Sequence, residues 1–415
     1  MSIAPPSTGE TTLGIPAMAG GGPPSASTVR VLHVVDGEHY AGAERVQDLL
    51  ALNLGQLGFE VGFACIKPGR FSRLRQARRA PLYELRMRSA WDLSCVRNLV
   101  RLARDQGYSL LHTHSPPAAL VGSVAATLAR LPVVHHVHGP LAADSTRLLR
   151  NWIDAATQRV SLARSDAVIA TSPAMAAYAR RMAFDPTRIN VVPNGAPARG
   201  PLAARQRPAG DWTLGMVALH RPCKGLEVLL EAVAALRSQG CLVRLRAVGA
   251  FENPAYETDV RDLAKRLGLC DAIDWQGFVA DVNDELARMD LLIVPSLCGG
   301  RPPMAVLEAM AAGVPLVATR VAGVTEAVRD GIEGLTVPPA DPQALADAVR
   351  LVLEDKVDWH SLRANAHRRQ ADCFSAAAMA EGVAAVYRQA LAERSKEEGG
   401  RSRSSQSGGK QTPAW

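Results

Sequence analysis

No apolar run in this chain approaches the ~18 residues that a membrane-spanning helix needs, so no transmembrane helix is expected. The opening stretch, MSIAPPSTGETTLGIPAMAGGGPPSAST, has neither a basic n-region nor an apolar h-region. It is therefore not read as a signal peptide, and its Pro, Gly, Ser and Thr predict a disordered tail over 1–28. Cysteine is sparse: 7 in 415 residues, odd in number and without a CxxC pair. That excludes a disulfide framework and predicts reduced thiols in a cytoplasmic protein. No GxGxxG follows a strand with an acid some twenty residues on, so a dinucleotide dehydrogenase is disfavoured. No homeodomain, zinc-finger or RNA-binding signature is present, so nucleic acid is not an expected partner.

The residues that are present describe a globular protein with room for two domains: 47% are hydrophobic and 21% charged. The net charge of +7 is unevenly placed. Residues 29–210 hold 24 Lys+Arg against 12 Asp+Glu, whereas residues 211–391 hold 18 against 24. FSRLRQARRA, from Phe71 to Ala80, is the densest basic cluster. A basic first half fits an anionic substrate or an anionic membrane surface.

The chain is organised around Leu291 to Val317, LLIVPSLCGGRPPMAVLEAMAAGVPLV. Leu291 to Val294 reads as a buried strand, Pro295 to Pro303 as a Gly/Pro loop, Met304 to Ala312 as a helix and Val314 to Ala318 as a second strand. The loop of such a βαβ unit sits where parallel sheets bind ligands. The helix N-terminus offers backbone N–H groups to a phosphate. Glu308, one turn further on, is placed to accept from ribose hydroxyls, or else is a solvated helix residue. Strands and helices alternate before and after, with a Pro/Gly/Arg-rich linker at 197–210 that divides a domain at 29–196 from one at 211–374. A helix is predicted over 375–393 and a second disordered tail over 394–415. A longer helical stretch is expected over 144–163. In the first domain the small pair Ala41 and Gly42 would let backbone approach a ligand. Six histidines fall at 33, 112, 114, 135, 136 and 138. Positions i and i+2 of a strand share a face, so His136 can pair with His138, and His112 with His114. No cysteine or carboxylate completes a set, and no metal is expected.

With both halves laid out, the chain resembles a family-4 retaining glycosyltransferase of the GT-B type, α/β with two doubly wound Rossmann-like domains facing across a cleft. The resemblance rests on LHRPCKGLEVLLEAV, RAVGAFENPAY, WQGFVADVNDEL, the central stretch and TRVAGVTEAVRDGIEGLTVPPAD. GAERVQ, LLHTHS, VHHVHG, IATSPAM and VVPNG add weaker matches in the first half. The resemblance implies that the second domain binds a UDP- or GDP-sugar through Arg221, Lys224, Gly249, Phe278, Met304, Ala305, Val306 and Glu308, with Thr325 and Glu326 in a matching loop. Lys224 is expected at the start of its helix. His138 would be the active-site histidine, and Ala41, Gly42 and His114 would line the acceptor side. No cofactor and no metal is implied, because cations and backbone amides would stabilise the leaving diphosphate. The helix over 375–393 would pack back toward the first domain.

Two positions depart from the family pattern. The first of its two glutamates falls on Gly300, followed by Arg301, and its usual Arg falls on Leu219. The expected activity is sugar transfer from a nucleotide-sugar to a glycan or lipid-linked acceptor, by a cytoplasmic enzyme that contacts an anionic membrane peripherally. A non-catalytic nucleotide-sugar-binding relative, supported by Gly300, and a nucleotide-sugar epimerase on the same fold are the alternatives.

Overall fold

The computed structural model describes residues 28–40, 42–88, 92–137, 159, 163–182, 184–300 and 302–406, with side chains to 396. Ala41, His138, Arg301, the first tail up to residue 27 and all of 144–163 but 159 and 163 lie outside them. Among the described residues two wholly parallel sheets carry the fold. The first has seven strands in the order β3-β2-β1-β4-β5-β6-β7. These are β1 Val29–Val35, β2 Phe59–Cys65, β3 Leu82–Glu84, β4 Leu110–Thr113, β5 Val133–Val137, β6 Ala167–Ala170 and β7 Ile189–Val191. The second has six in the order β10-β9-β8-β11-β12-β13. These are β8 Trp212–Val217, β9 Val243–Val248, β10 Ile273–Gly277, β11 Leu291–Val294, β12 Leu316–Thr319 and β13 Gly334–Val337. The central strands β4, β5, β6, β11 and β12 are buried along their whole length. That fits the wholly apolar runs of β6 and β11, AVIA and LLIV, since helices cover both faces. Strand order reverses between β1 and β4 in one sheet and between β8 and β11 in the other, and such reversals open a ligand crevice at the strands' carboxyl ends.

The two crossings between the domains run side by side. Ala196 N donates to Phe374 O (2.9 Å), and Ala376 N donates to Ala196 O (2.8 Å). The segment 197–210 is strapped to the second domain: Arg205 pairs with Asp290 (2.6 Å), Arg207 with Asp355 (3.4 Å), and Arg363 donates to Ala203 O (3.1 Å).

Three features differ from the sequence reading. The helix Trp359–Cys373 and the strand β13 are present beyond the elements expected from sequence. The helix Ala376–Gln406 runs on past residue 393, into the stretch expected to be disordered. It packs on the helix Gly42–Asn53 and on β5 and β6, so the chain's last helix covers the first domain. Among the described residues no helix is long and apolar enough to cross a membrane.

Candidate active site

The crevice at the second sheet's reversal is lined by Met216, Ala218, Lys224, Ser296, Pro303 and Ala305 among others. Lys224 is not at the start of an α-helix. It closes a single 3₁₀ turn, Pro222–Lys224, and the helix Leu226–Ser238 begins two residues later. Gly225 between them has φ +70°, and a Cβ there would lie 2.0 Å from Pro295 O. The bond from Leu297 N to Cys223 O (2.9 Å) ties the same two loops together. Lys224 is thus fixed against the Gly/Pro loop and partly buried. Arg221 opens the turn, 3.8 Å from Glu252. Gly249 serves packing: its φ is +136°, and a Cβ there would fall 1.7 Å from Ala218 O.

The helix Met304–Ala311 follows Pro303, which has no side chain able to cap it. Val306 N already donates to Pro303 O (3.0 Å). The expected trio of amides is therefore reduced to those of Met304 and Ala305, which face the dipole's positive end. Phe278 is not brought to the crevice: it is 54% exposed, just past the edge strand β10 and two strands from β8.

Glu308 is 6% exposed and ion-paired with Arg45, on the helix Gly42–Asn53 of the first domain. Burial raises its pKa and the Arg45 guanidinium opposes that. Sequence reasoning missed Arg45, although GAERVQ contains it; nothing local says that its side chain crosses to the other domain. Two more contacts span the cleft. Ser172 Oγ donates to Gly300 O (2.8 Å). The Glu326 carboxylate accepts from Ala174 N and lies beside the Ser172 hydroxyl, at the N-terminus of the helix Pro173–Arg181. Glu326 thus caps a helix across the cleft, while Thr325 beside it is exposed and bonds back to Val321 O (3.5 Å).

On the first domain's side, Gly42 opens its helix, half-buried. His114, just past β4, is 5% exposed and lies 4.1 Å from His112, ring centre to ring centre, with the rings tilted by 37°. His138, one residue beyond β5, and Ala41 are outside the described residues.

Replacing Arg45 by Met leaves the buried Glu308 carboxylate without its cation. The expected cost is about 1–3 kcal/mol. Because Glu308 has a raised folded pKa, its burial penalty is greatest when ionised and fades as pH falls through that pKa, above the ordinary carboxyl value of about 4.3. The deficit in melting temperature relative to wild type should therefore be larger at alkaline than at mildly acid pH. A deficit that does not change with pH contradicts the pairing.

Two family models match this arrangement. Residues 40–198 match the model described as Glycosyltransferase Family 4, and residues 212–355 the model described as Glycosyl transferases group 1. A D-inositol 3-phosphate glycosyltransferase of Kineococcus radiotolerans is 30% identical, over 71% of this chain and 74% of that protein. The chain belongs to the group 1 and family 4 glycosyltransferases. A UDP-Gal:alpha-D-GlcNAc-diphosphoundecaprenol alpha-1,3-galactosyltransferase of Escherichia coli is 28% identical, over 64% of this chain and 72% of that protein. The crystal structure of Anabaena HepE in complex with UDP superposes with a TM-score of 0.76 at 22% identity, covering 87% of this chain and all of that one. That likeness fixes the fold as GT-B. This glycosyltransferase is an enzyme of the hexosyltransferase class.

Proposed function

We propose that this glycosyltransferase moves a hexose from a UDP- or GDP-linked donor to a glycan or lipid-linked acceptor of the cell envelope, with retention of configuration. The observation that carries the reading is the crevice at the β8/β11 reversal. There Lys224 and the uncapped Met304 helix converge on one site with Glu308 a turn behind. The diphosphate takes the Met304 and Ala305 amides and the Lys224 ammonium, with Arg221 next along the loop. The ribose hydroxyls share Glu308 with Arg45.

As the bond from the anomeric carbon to the phosphate oxygen breaks, negative charge grows on that oxygen, where fixed cations and amides stabilise it. The same phosphate oxygen takes the acceptor's hydroxyl proton, and the acceptor oxygen bonds to the anomeric carbon on the face the phosphate leaves. No carboxylate nucleophile is needed. The 24 basic residues of 29–210 suit an acceptor presented on an anionic membrane from the cytoplasmic side. Relatives named for a diphosphoundecaprenol-linked acceptor and for lipopolysaccharide core biosynthesis support this acceptor class.

The test is incubation with labelled UDP- and GDP-hexoses and a polyprenyl-diphosphate-linked saccharide. Label passing to the lipid with its anomeric configuration kept is expected. An inverted product overturns retention. Label that reaches water but never an acceptor of this kind overturns the acceptor class.

A further inference from the structure

Four histidines stand together beneath the chain's last helix, where the first sheet reverses its strand order. His33 lies on β1, His112 on β4, His114 just past β4 and His136 on β5, none more than 5% exposed. Strand register sets His33 opposite His112, and Thr113 opposite His135, which brings His136 alongside His114. Ring centres are 4.7 Å apart for His33 and His112, 5.2 Å for His33 and His114, and 4.1 Å for His112 and His114. His136 adjoins them, 5.5 Å from His112 and 5.2 Å from His114. One nitrogen from each of His33, His112 and His114 lies within 4.8 Å of the other two. Their neighbours on this face of the strands are Val31, Val35, Leu110 and Val134, so the cluster interrupts an aliphatic surface.

The proposed donor crevice on the second sheet does not include this cluster, and stability alone does not call for it. A buried imidazole must satisfy two nitrogens. Tyr387, on the helix Ala376–Gln406, meets one on each of two rings: its hydroxyl lies 2.9 Å from His33 Nε2 and 2.6 Å from His112 Nδ1. His33 Nδ1, wholly buried, has no hydrogen-bond partner among the described residues. Leaving a buried polar atom unsatisfied is unfavourable. A neutral imidazole is the form that binds metal.

We propose that His33, His112 and His114 form a binding site for a divalent transition-metal ion of the zinc class, with His136 beside it as the fourth position. On His33 and His112 the metal takes the nitrogen opposite the Tyr387 contact. Tyr387 Oη then accepts from both ring N–H groups and fixes their tautomers, as partners behind metal-bound histidines commonly do. A donor set of imidazoles without hard oxygen ligands favours zinc, cobalt, nickel or copper over magnesium or calcium. Tetrahedral binding at about 2.0–2.1 Å brings nitrogens to about 3.4 Å of one another, so the rings draw together on loading. The ion would pin the last helix to the first domain. The site is apart from the diphosphate crevice of the second sheet, and the proposal does not depend on the transfer reaction. It replaces the expectation, from sequence, of no metal: spacing along the chain cannot show that His33 lies beside His112.

The full chain, purified without a histidine tag, is stripped with a chelator and dialysed against excess Zn²⁺ or Co²⁺. About one ion per chain should remain. The cobalt form should show the intense visible absorption of a tetrahedral nitrogen site, and loading should raise the melting temperature by several degrees, roughly as for any ligand bound well above its Kd. His112→Gln with His114→Gln should abolish retention, and Tyr387→Phe should weaken it by about 10–100-fold. Wild-type chain that keeps no metal overturns the site. So does the weak spectrum of octahedral cobalt on surface histidines, or undiminished binding in the double variant. Should the double variant fail to fold, the wild-type stoichiometry and spectrum still decide.

Discussion

Lys224→Ala is expected to lower kcat/KM for the nucleotide-sugar by roughly 10²–10³-fold, the usual loss when one pre-positioned group on a developing anion is removed. Much of the loss should be in donor binding, since the ammonium meets the diphosphate in the ground state as well. Three features put this effect above the others in the crevice. Lys224 is held in a short turn by Gly225 and Pro295, so little motion is available to compensate. It lines the crevice directly. Its neighbour Arg221 lies near Glu252, which draws off part of that charge, so Arg221→Ala should cost less. Steady-state kinetics and calorimetric titration of the nucleoside diphosphate separate the two contributions. Unchanged donor affinity in Lys224→Ala overturns the placement of the phosphates.

Trp359→Ala should remove about 3–5 kcal/mol from the unfolding of the second domain, as expected for a fully buried aromatic. Trp359 is 0% exposed and edge-on to Trp212 at 6.3 Å. Its Nε1 donates to Asp290 O (2.9 Å), and Arg363 lies over its ring at 4.7 Å. Removing it opens a cavity and breaks the seat of the Arg205–Asp290 pair that straps down the linker. Set against total stabilities of about 5–15 kcal/mol, the variant should unfold at markedly lower urea. Trp359→Phe, which keeps most of the packing, should lose less. A loss below about 1 kcal/mol in the alanine variant contradicts this description of the core.

That helix also shows where sequence reading fails. WHSLRANAHRRQADC buries Trp359, Leu362, Arg363, Ala366 and Gln370, a helical spacing, but two of the five are polar. Arg363 is buried because it donates to Gly313 O (2.8 Å), and Gln370 because it donates to Ala196 O (3.0 Å). A search for apolar periodicity passes over such a face. The central strands were legible for the opposite reason: burial on both faces leaves continuous runs such as LLIV and AVIA. Within the site, the Gly/Pro loop and the Met304 helix were legible because their chemistry is local. The Arg45–Glu308 pair, the Glu326 cap on the Pro173 helix and the meeting of His33 with His112 join residues far apart in the chain, and no local pattern encodes them.

The most direct measurement is calorimetric titration of UDP, GDP and ADP into the wild-type chain, Lys224→Ala and Glu308→Gln. One nucleoside diphosphate should bind the wild type, and it should bind both variants more weakly, by roughly tenfold or more for each lost contact of about 1.4 kcal/mol. Equal affinity in all three proteins, or no binding of any of the three nucleotides to the wild type, would contradict a donor site at the β8/β11 reversal.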